Sequence, residues 1–504
     1  MRTKSAVLIV RSNIILQLML VISGLILPRY VIFTYGSEVN GLISSVKQFL
    51  LYFGAVSSGI GVVSMAALYA PLAHGNVGKI NAIASASRIF FTKIGYIISL
   101  LILIFLVIYP IFIASSISRL VIALLTLVLS GEFIIEYFLL SKYRIFLNAA
   151  QKAYVILNTH ALGVVIYTVV AVFLIRMHLN ILIVLSVSTA CYGLRSLLII
   201  NYTKKHYPYL NFYTKPDFKA IPNRREAFLY KISSMIIQYT PFMIIVVILG
   251  LKKVSVYSVY NLIFVSLSML SLVFSTGITS LFGNVIAQKK LKTLRASFRT
   301  YELVYDIMIF FCYTSALKLI TPFISIYTQG ITDVEYVVPV IGYLFVFRSI
   351  FRDIRMPFVM LVDATGDFRI NSIFNMVEAG ITILLSIALC LFYGIPGVLL
   401  GAIIAGSLRT LGYILYVYIQ ILRTRMIKSF IRLFLNFIFM IIIVLTPFSF
   451  ETVGVLSWIM LAVKVSSITC VVVVAGNCII DLSAIKDLIT RIKHLISSQK
   501  GGLG

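Results

Sequence analysis

The chain has 504 residues, of which 61% are apolar and 12% charged, against about 25% charged in a soluble domain. Its mean hydropathy is +1.05, and even large soluble domains bury only about 75% of the surface their chains expose, so a water-soluble enzyme and a free nucleic-acid binder are excluded. Lys and Arg number 43 against 16 Asp and Glu, a formal charge of +27 that topology signals in membrane loops explain before any ligand does.

About 20 consecutive apolar residues cross a bilayer as a helix. Fourteen such runs follow one another, at 7–35, 41–70, 89–115, 117–141, 153–176, 179–203, 227–251, 255–287, 301–328, 337–363, 369–393, 396–422, 430–449 and 455–482. The first is too long for a cleaved signal peptide. An even number of spans puts both termini on one side. Alternating loops place thirty basic residues on that side and four, Arg119, Arg176, Lys252 and Lys253, on the other. Both termini are therefore expected in the cytoplasm.

The longest loop, 204–226, is basic, contains Pro208, Pro216 and Pro222, and reads as a cytoplasmic linker. It separates an N-terminal lobe of six helices (1–203) from a C-terminal lobe of six (227–422), followed by two extra helices (423–482) and a cytoplasmic tail (483–504). The lobes repeat. Leu194-Arg195-Ser196-Leu197 recurs as Leu408-Arg409-Thr410-Leu411 at a spacing of 214, which also relates Ala150 to Ala364 and Tyr154 to Phe368. Ser57-Ser-Gly-Ile60 faces Ser275-Thr-Gly-Ile278 at 218. The expected fold is an all-α polytopic membrane protein of about 14 transmembrane helices, with two pseudo-symmetric six-helix lobes plus two C-terminal helices. Parallel repeats of this kind are a transporter design.

Nine basic residues remain inside the spans: Arg29, Lys47, Arg195, Lys318, Arg348, Arg352, Arg355, Arg409 and Lys464. Arg348, Arg352 and Arg355 are spaced four and three apart in the tenth span, on one expected helical face over about 10 Å of axis. An arginine at mid-membrane costs at least about 2.5–3.5 kcal/mol, so such a face suits water or anions, unless Asp353 and acids on other helices neutralise it or Arg355 lies at the surface. Pro357 follows and would bend the helix. Arg195 and Arg409 are either anion contacts or cations stabilising their own halves. Arg29 follows Pro28 and is either an anion contact, a cation beside a broken helix, or simply a residue at the outer interface. Arg88 begins the third span as a topology residue or the mouth of a cavity. Among the acids, Glu132 and Glu136 share a face of the fourth span, Glu302 and Asp306 of the ninth, and Glu378 lies in the eleventh. Each either carries protons or sodium for coupling or neutralises an arginine.

The five cysteines all fall in spans without CxxC spacing and read as buried apolar side chains. No metal-ligand constellation, Walker A or Gly-rich phosphate loop is present, so neither a metal, a cofactor nor direct ATP use is expected. The outer loops are too short for a polymerase or glycosyltransferase site, and an enzyme is not expected.

The residues resemble a known family. Pro28-Arg29-Tyr30 leads to Tyr35-Gly36-Ser37-Glu38-Val39-Asn40-Gly41-Leu42, then Ser58-Gly59-Ile60-Gly61 and Ala67-Leu68-Tyr69. The second half continues with Val254-Ser255-Val256-Tyr257-Ser258-Val259-Tyr260-Asn261, then Tyr327-Thr328-Gln329-Gly330-Ile331-Thr332-Asp333 and Arg355-Met356-Pro357. Gly366-Asp367-Phe368, Glu378-Ala379 and Gly394-Ile395-Pro396-Gly397 follow. In combination this resembles Wzx-type oligosaccharide-lipid flippases, the polysaccharide branch of the multidrug/oligosaccharidyl-lipid/polysaccharide (MOP) superfamily. The resemblance implies two lobes around a cationic cavity in the bacterial cytoplasmic membrane, and alternating access that carries undecaprenyl-diphosphate-linked oligosaccharide outward for surface polysaccharide assembly. Arg348, Arg352, Arg355, Arg29, Arg409, Arg195 and Arg88 are the candidate substrate cations, since guanidinium forks match phosphate oxygens. Glu132, Glu136, Asp306 and Glu378 are the candidates for proton or sodium coupling or charge pairing. The implied partners are the lipid-linked oligosaccharide and membrane lipids, with a polysaccharide polymerase and glycosyltransferases as candidates and no nucleic acid. One departure stands out: related chains often carry an acid in the seventh span, where this one reads Gln238-Tyr239-Thr240-Pro241. The alternative is a MATE-like multidrug or cation exporter, or an exporter of another lipid-linked precursor, on the same fold.

Overall fold

The computed structural model describes residues 2–54, 57–113, 115–219, 225–275, 278–446 and 454–481. The expected tail 483–504, linker positions 220–224 and Thr276-Gly277 of the repeated tetrapeptide lie outside the described residues. Among the described residues there are helices and connections but no strand. Among the described residues eleven helices are long and apolar enough to cross a membrane. The other three expected spans, 41–70, 255–287 and 337–363, are each described as a pair of helices. Large apolar side chains stay exposed along the spans, Phe392 and Leu391 among them, as is expected where the bilayer is the solvent. The chain is a multi-pass membrane protein. Of the cysteines, Cys390 is buried but Cys470 is exposed, so not all five are core.

Two compact units divide the chain: Met1–Leu262 with Gly330–Val334, and Ile263–Gln329 with Glu335–Gly504. The first unit begins with α1 (Arg2–Tyr35), α2 (Ser37–Gly54), α3 (Ser58–Ala73) and α4 (Val77–Phe112). The fourth span is α5 (Arg119–Ile135), a π-turn over Glu136–Leu140 and α6 (Ser141–Ala149). It is followed by α7 (Ala153–Arg176), α8 (Ile181–His206) and α9 (Arg225–Leu249). Next comes α10 (Leu251–Ser275). The second unit holds α11 (Ile278–Ala287), α12 (Leu291–Tyr327), α13 (Pro339–Ile354), α14 (Met356–Thr365), α15 (Phe368–Tyr393) and α16 (Ile395–Tyr416), which ends in a π-turn over Val417–Leu422. It closes with α17 (Ile427–Leu445) and α18 (Val455–Ile480).

Helix starts repeat at the spacing of the sequence motif: Ser37, Val77 and Ile181 precede Leu251, Leu291 and Ile395 by 214 residues. Side chains that would compete with a helix interior cap its first turn instead. Asn76 Oδ1 accepts from Lys79 N (3.0 Å), and Asn180 Oδ1 from Leu182 N (2.9 Å). Pro28 does not break α1, which runs through it as one helix; membrane helices tolerate proline where neighbours re-satisfy the freed backbone.

Helices α15 and α16 come into backbone contact. A Cβ at Gly397 would stand 2.0 Å from the Leu389 carbonyl oxygen, and one at Gly401 2.5 Å from Ser386 N, so only glycine permits this approach. Gly397-Val-Leu-Leu-Gly401 is the small-xxx-small pattern by which membrane helices bring their backbones together.

Candidate functional site: charged clusters within the helices

The glycine row decides where Arg409 points. Gly397, Gly401, Ala405 and Arg409 recur every four residues and share one face of α16. Opposite them, Cys390, Ser386, Thr382 and Glu378 form the matching row on α15. Where the rows are smallest the backbones touch, and Ser386 Oγ donates to Val398 O at 3.0 Å. One end of the rows brings Glu378 against Arg409. Arg409 Nη1 donates to Glu378 Oε2, and Arg355 Nη1 donates to Glu378 Oε1 at 3.0 Å. All three side chains are buried. Hydrogen bonds continue along α16, from Arg409 to Tyr413 OH, from Tyr413 OH to Asn371 Oδ1 (2.6 Å) and from Asn371 Nδ2 to Asp363 Oδ1 (2.5 Å).

The tenth span is not one helix. It stops at Ile354, turns at Arg355 and resumes at Met356. Pro357, one residue into the new helix, has no N–H to carry the first helix onward. The Arg355 N–H turns to the Asp353 carbonyl, and the Phe351 carbonyl it leaves accepts from Thr410 Oγ1 at 2.8 Å. Consequently Arg348, Arg352 and Arg355 do not share one continuous face. Arg355 serves the buried triad with α15 and α16. Arg352 faces α12: its Nε donates to Asp353 Oδ1 (2.8 Å) and its Nη2 to Tyr313 OH (3.3 Å). Asp353 also accepts from Tyr313 OH (2.5 Å) and Ser271 Oγ (3.2 Å). The Arg352 side chain keeps 35% of its surface open. Arg348, one turn earlier, is half-buried with its guanidinium 6.0 Å from the Phe345 ring.

A second buried triad joins α17 to α12 within the second unit. Arg432 on α17 pairs with Glu302 Oε2 (2.8 Å) and Asp306 Oδ2 (2.6 Å) on α12, all three about 2% exposed. Tyr418 OH donates to Glu302 Oε2 (2.9 Å), and Ser429 Oγ to its Oε1. Arg432 counts among the loop cations by sequence, yet it is a fully buried intramembrane charge. Its position two residues inside the 430–449 run was the available signal. Asp306, a coupling candidate, is here a charge partner.

In the first unit, Glu136 begins the π-turn and is engaged on all sides: Arg144 Nη2 lies at 2.8 Å, Ser141 Oγ donates at 2.9 Å and Tyr192 OH at 2.5 Å. Glu132, one turn before, accepts from Ser188 Oγ and has no ion-pair partner among the described residues. Arg195 is buried, 7% exposed. Its guanidinium lies 4.8 Å over the Tyr192 ring, and among the described residues its Nε finds no hydrogen-bond partner. Arg88 Nε donates to the Phe212 carbonyl at 3.0 Å and its guanidinium stacks over Tyr213, which ties Arg88 to the linker through Nε. Arg29 lies exposed on α1. Of the seven predicted cations, then, Arg355 and Arg409 meet at Glu378, with Arg348 and Arg352 on the adjoining helix. Arg29, Arg88 and Arg195 belong to the first unit.

No protein-family profile matches the chain, and no curated protein matches it in sequence. Solved structures do. A structure described as the lipid II flippase MurJ, in an inward closed conformation, superposes with a TM-score of 0.71 at 18% identity, over 92% of this chain and 98% of that one. An inward-facing multidrug resistance MATE family transporter of the MOP superfamily gives 0.58 at 12% identity, over 79% and 93%. The fold is that of the MOP-superfamily transporters. A MOP transporter from Pyrococcus furiosus, whose description speaks of reversed polarity in its binding pocket, gives 0.55 at 14%, over 83% and 96%. At such identities the MOP likeness is one of fold, and the charged side chains of this chain have to speak for its function.

Proposed function

We propose that this protein is a flippase of the Wzx type, carrying undecaprenyl-diphosphate-linked oligosaccharide from the cytoplasmic to the outer leaflet of a bacterial cytoplasmic membrane, by alternating access and with both termini cytoplasmic. The observation that carries the reading is a surplus of positive charge around the tenth span. Among the described residues Arg352 pairs with Asp353 while Arg355 and Arg409 share the single carboxylate of Glu378, three cations on two acids in a medium where each charge is expensive. A diphosphate supplies the missing negative charge, and Arg352, whose side chain is about one-third exposed, carries the fork geometry that phosphate oxygens accept. That the MurJ structure is described as a lipid II flippase supports the reading. No chemical step on the substrate is part of it, and polymerase and glycosyltransferases are its expected partners in the membrane. Of the four acids first considered for ion coupling, Glu136, Asp306 and Glu378 are held by arginines. Glu132, held by a serine hydroxyl, is the one we assign to coupling.

The test is glycan export in cells whose only copy carries Arg352→Ala or Arg348→Ala. We expect surface glycan to be lost with protein level and membrane insertion unchanged; full export by both variants overturns the assignment. A second reading, export of lipophilic cations, is favoured by the fold likeness to multidrug MATE transporters and by the unpaired Glu132. It requires Glu132→Gln to abolish cation efflux while surface glycan is made normally.

A further inference from the structure

The segment after α8 is latched to the start of α4. Asn81 Nδ2 donates to Tyr209 O (3.0 Å) and Asn81 Oδ1 accepts from Asn211 N (3.0 Å). Thr214 N donates to Ser85 Oγ (3.1 Å), Asp217 N to Ala82 O (3.2 Å) and Arg88 Nε to Phe212 O (3.0 Å). The latch buries Phe212 edge-on against Tyr143 of α6, ring centroids 4.9 Å apart. Cations gather around this aromatic pair. The Arg88 guanidinium lies 4.3 Å over Tyr213, and Lys142 Nζ lies 5.4 Å from the Tyr143 ring and 5.5 Å from that of Phe212. Lys204, near the end of α8, is brought alongside: one turn past it Tyr207 packs edge-on against Phe146, which lies one turn past Lys142 on α6, ring centroids 4.9 Å apart.

Three helices thus bring three positive charges to one place. Among the described residues none of the three has a carboxylate in ion-pair range, and half-buried Lys142 makes no hydrogen bond. Like charges held together without an acid repel one another, so the arrangement is complete only with an anion. The rim indicates which kind. Tyr213 is 75% exposed, and Phe218 and Tyr209 are exposed too, the aromatic fringe that sits at lipid headgroup level. Basic pockets between membrane helices at that level bind anionic headgroups.

We propose that Arg88, Lys142 and Lys204 form a binding site for the phosphate of an anionic phospholipid, built at the membrane interface by the docked 207–219 segment. It is separate from the arginines of the tenth span and stands whether or not the transport reading does. Arg88 also holds the latch, so the variants that test the site are at the two lysines.

The experiment titrates phosphatidylglycerol into the detergent-solubilised full chain and reads bound lipid by native mass spectrometry. Lys142→Met with Lys204→Met weakens the tightest lipid site roughly thirtyfold, about fivefold per cation removed. Lys290→Met with Lys292→Met, exposed cations elsewhere, leaves that site unchanged. Equal affinity in wild type and the Lys142/Lys204 variant, or an equal loss in the control, overturns the proposal. Displacement of the lipid by inorganic phosphate at millimolar concentration overturns it in favour of a free phosphate site. Should the double variant not fold, Lys204→Met alone, on an exposed helix end, carries the same test at about fivefold.

Discussion

Arg195 and Arg409 occupy equivalent positions of the two halves, 214 residues apart, and live in different surroundings. Arg409 meets Glu378 on the helix before it and shares that acid with Arg355. At the same spacing Glu378 corresponds to Val164, so α7 offers Arg195 no acid. The buried guanidinium lies on Tyr192 instead, whose hydroxyl donates to Glu136. The fourth and tenth spans differ in the same way: a π-turn at Glu136 in one, a full break at Arg355 in the other. The repeat has copied the helix starts while the charge pattern has diverged. Geometry in such a fold is set by hydropathy and small-residue packing, which tolerate many side chains. An intramembrane charge is set by the one partner it reaches.

That contrast can be broken most sharply at Glu378. Glu378→Gln leaves Arg355 and Arg409 buried against each other, and removal of one partner from a buried ion pair costs about 3–5 kcal/mol. We expect a large fall in thermal unfolding temperature in detergent, and a wild-type melting curve would show that the triad is not a structural core. Next comes Gly401→Ala. Its Cβ would meet the Ser386 backbone at 2.5 Å, and forcing the two helices apart should cost about 1–3 kcal/mol, lowering stability and loosening Glu378 from Arg409.

Val164→Glu sharpens the contrast from the other half. It places an acid where the second half has Glu378, and Arg195 should offset most of the 2.5–3.5 kcal/mol or so that an intramembrane charge costs. Leu162→Glu, at a side chain exposed on the same helix, should take that cost in full. Equal losses of folded protein in the two variants would mean that Arg195 does not face α7. The smallest effect is expected for Arg195→Met, since replacing a buried charge by an apolar side chain is often neutral or stabilising. A shift beyond about 1 kcal/mol in the destabilising direction would reveal a partner for Arg195 that Glu378→Gln has no bearing on.

Much of this was legible in the sequence. The fourteen apolar runs reappear as eleven single helices and three pairs, and the Arg195/Arg409 spacing reappears in the helix starts. The candidate site was legible only in part. Spacings of four and three put Arg355 on the face of Arg348 and Arg352, but the break at Arg355 turned it toward Glu378, because Pro357 cannot continue the hydrogen-bond ladder. Pro28 carried the same signal without a break. Arg432 was hidden by a boundary: two residues of uncertainty in a span end separate a loop cation from the centre of a buried triad.

By itself, then, the sequence determined the membrane spans and their twofold repeat, because both depend on local composition and on the periodicity of a single helix. Only the tertiary structure decided which arginines are neutralised. Arg355, Glu378 and Arg409, or Glu302, Asp306 and Arg432, lie on different helices, and whether they meet depends on how each helix is rotated about its axis. Hydropathy leaves that rotation open, and it is fixed here by glycine rows, a helix break and the acids themselves.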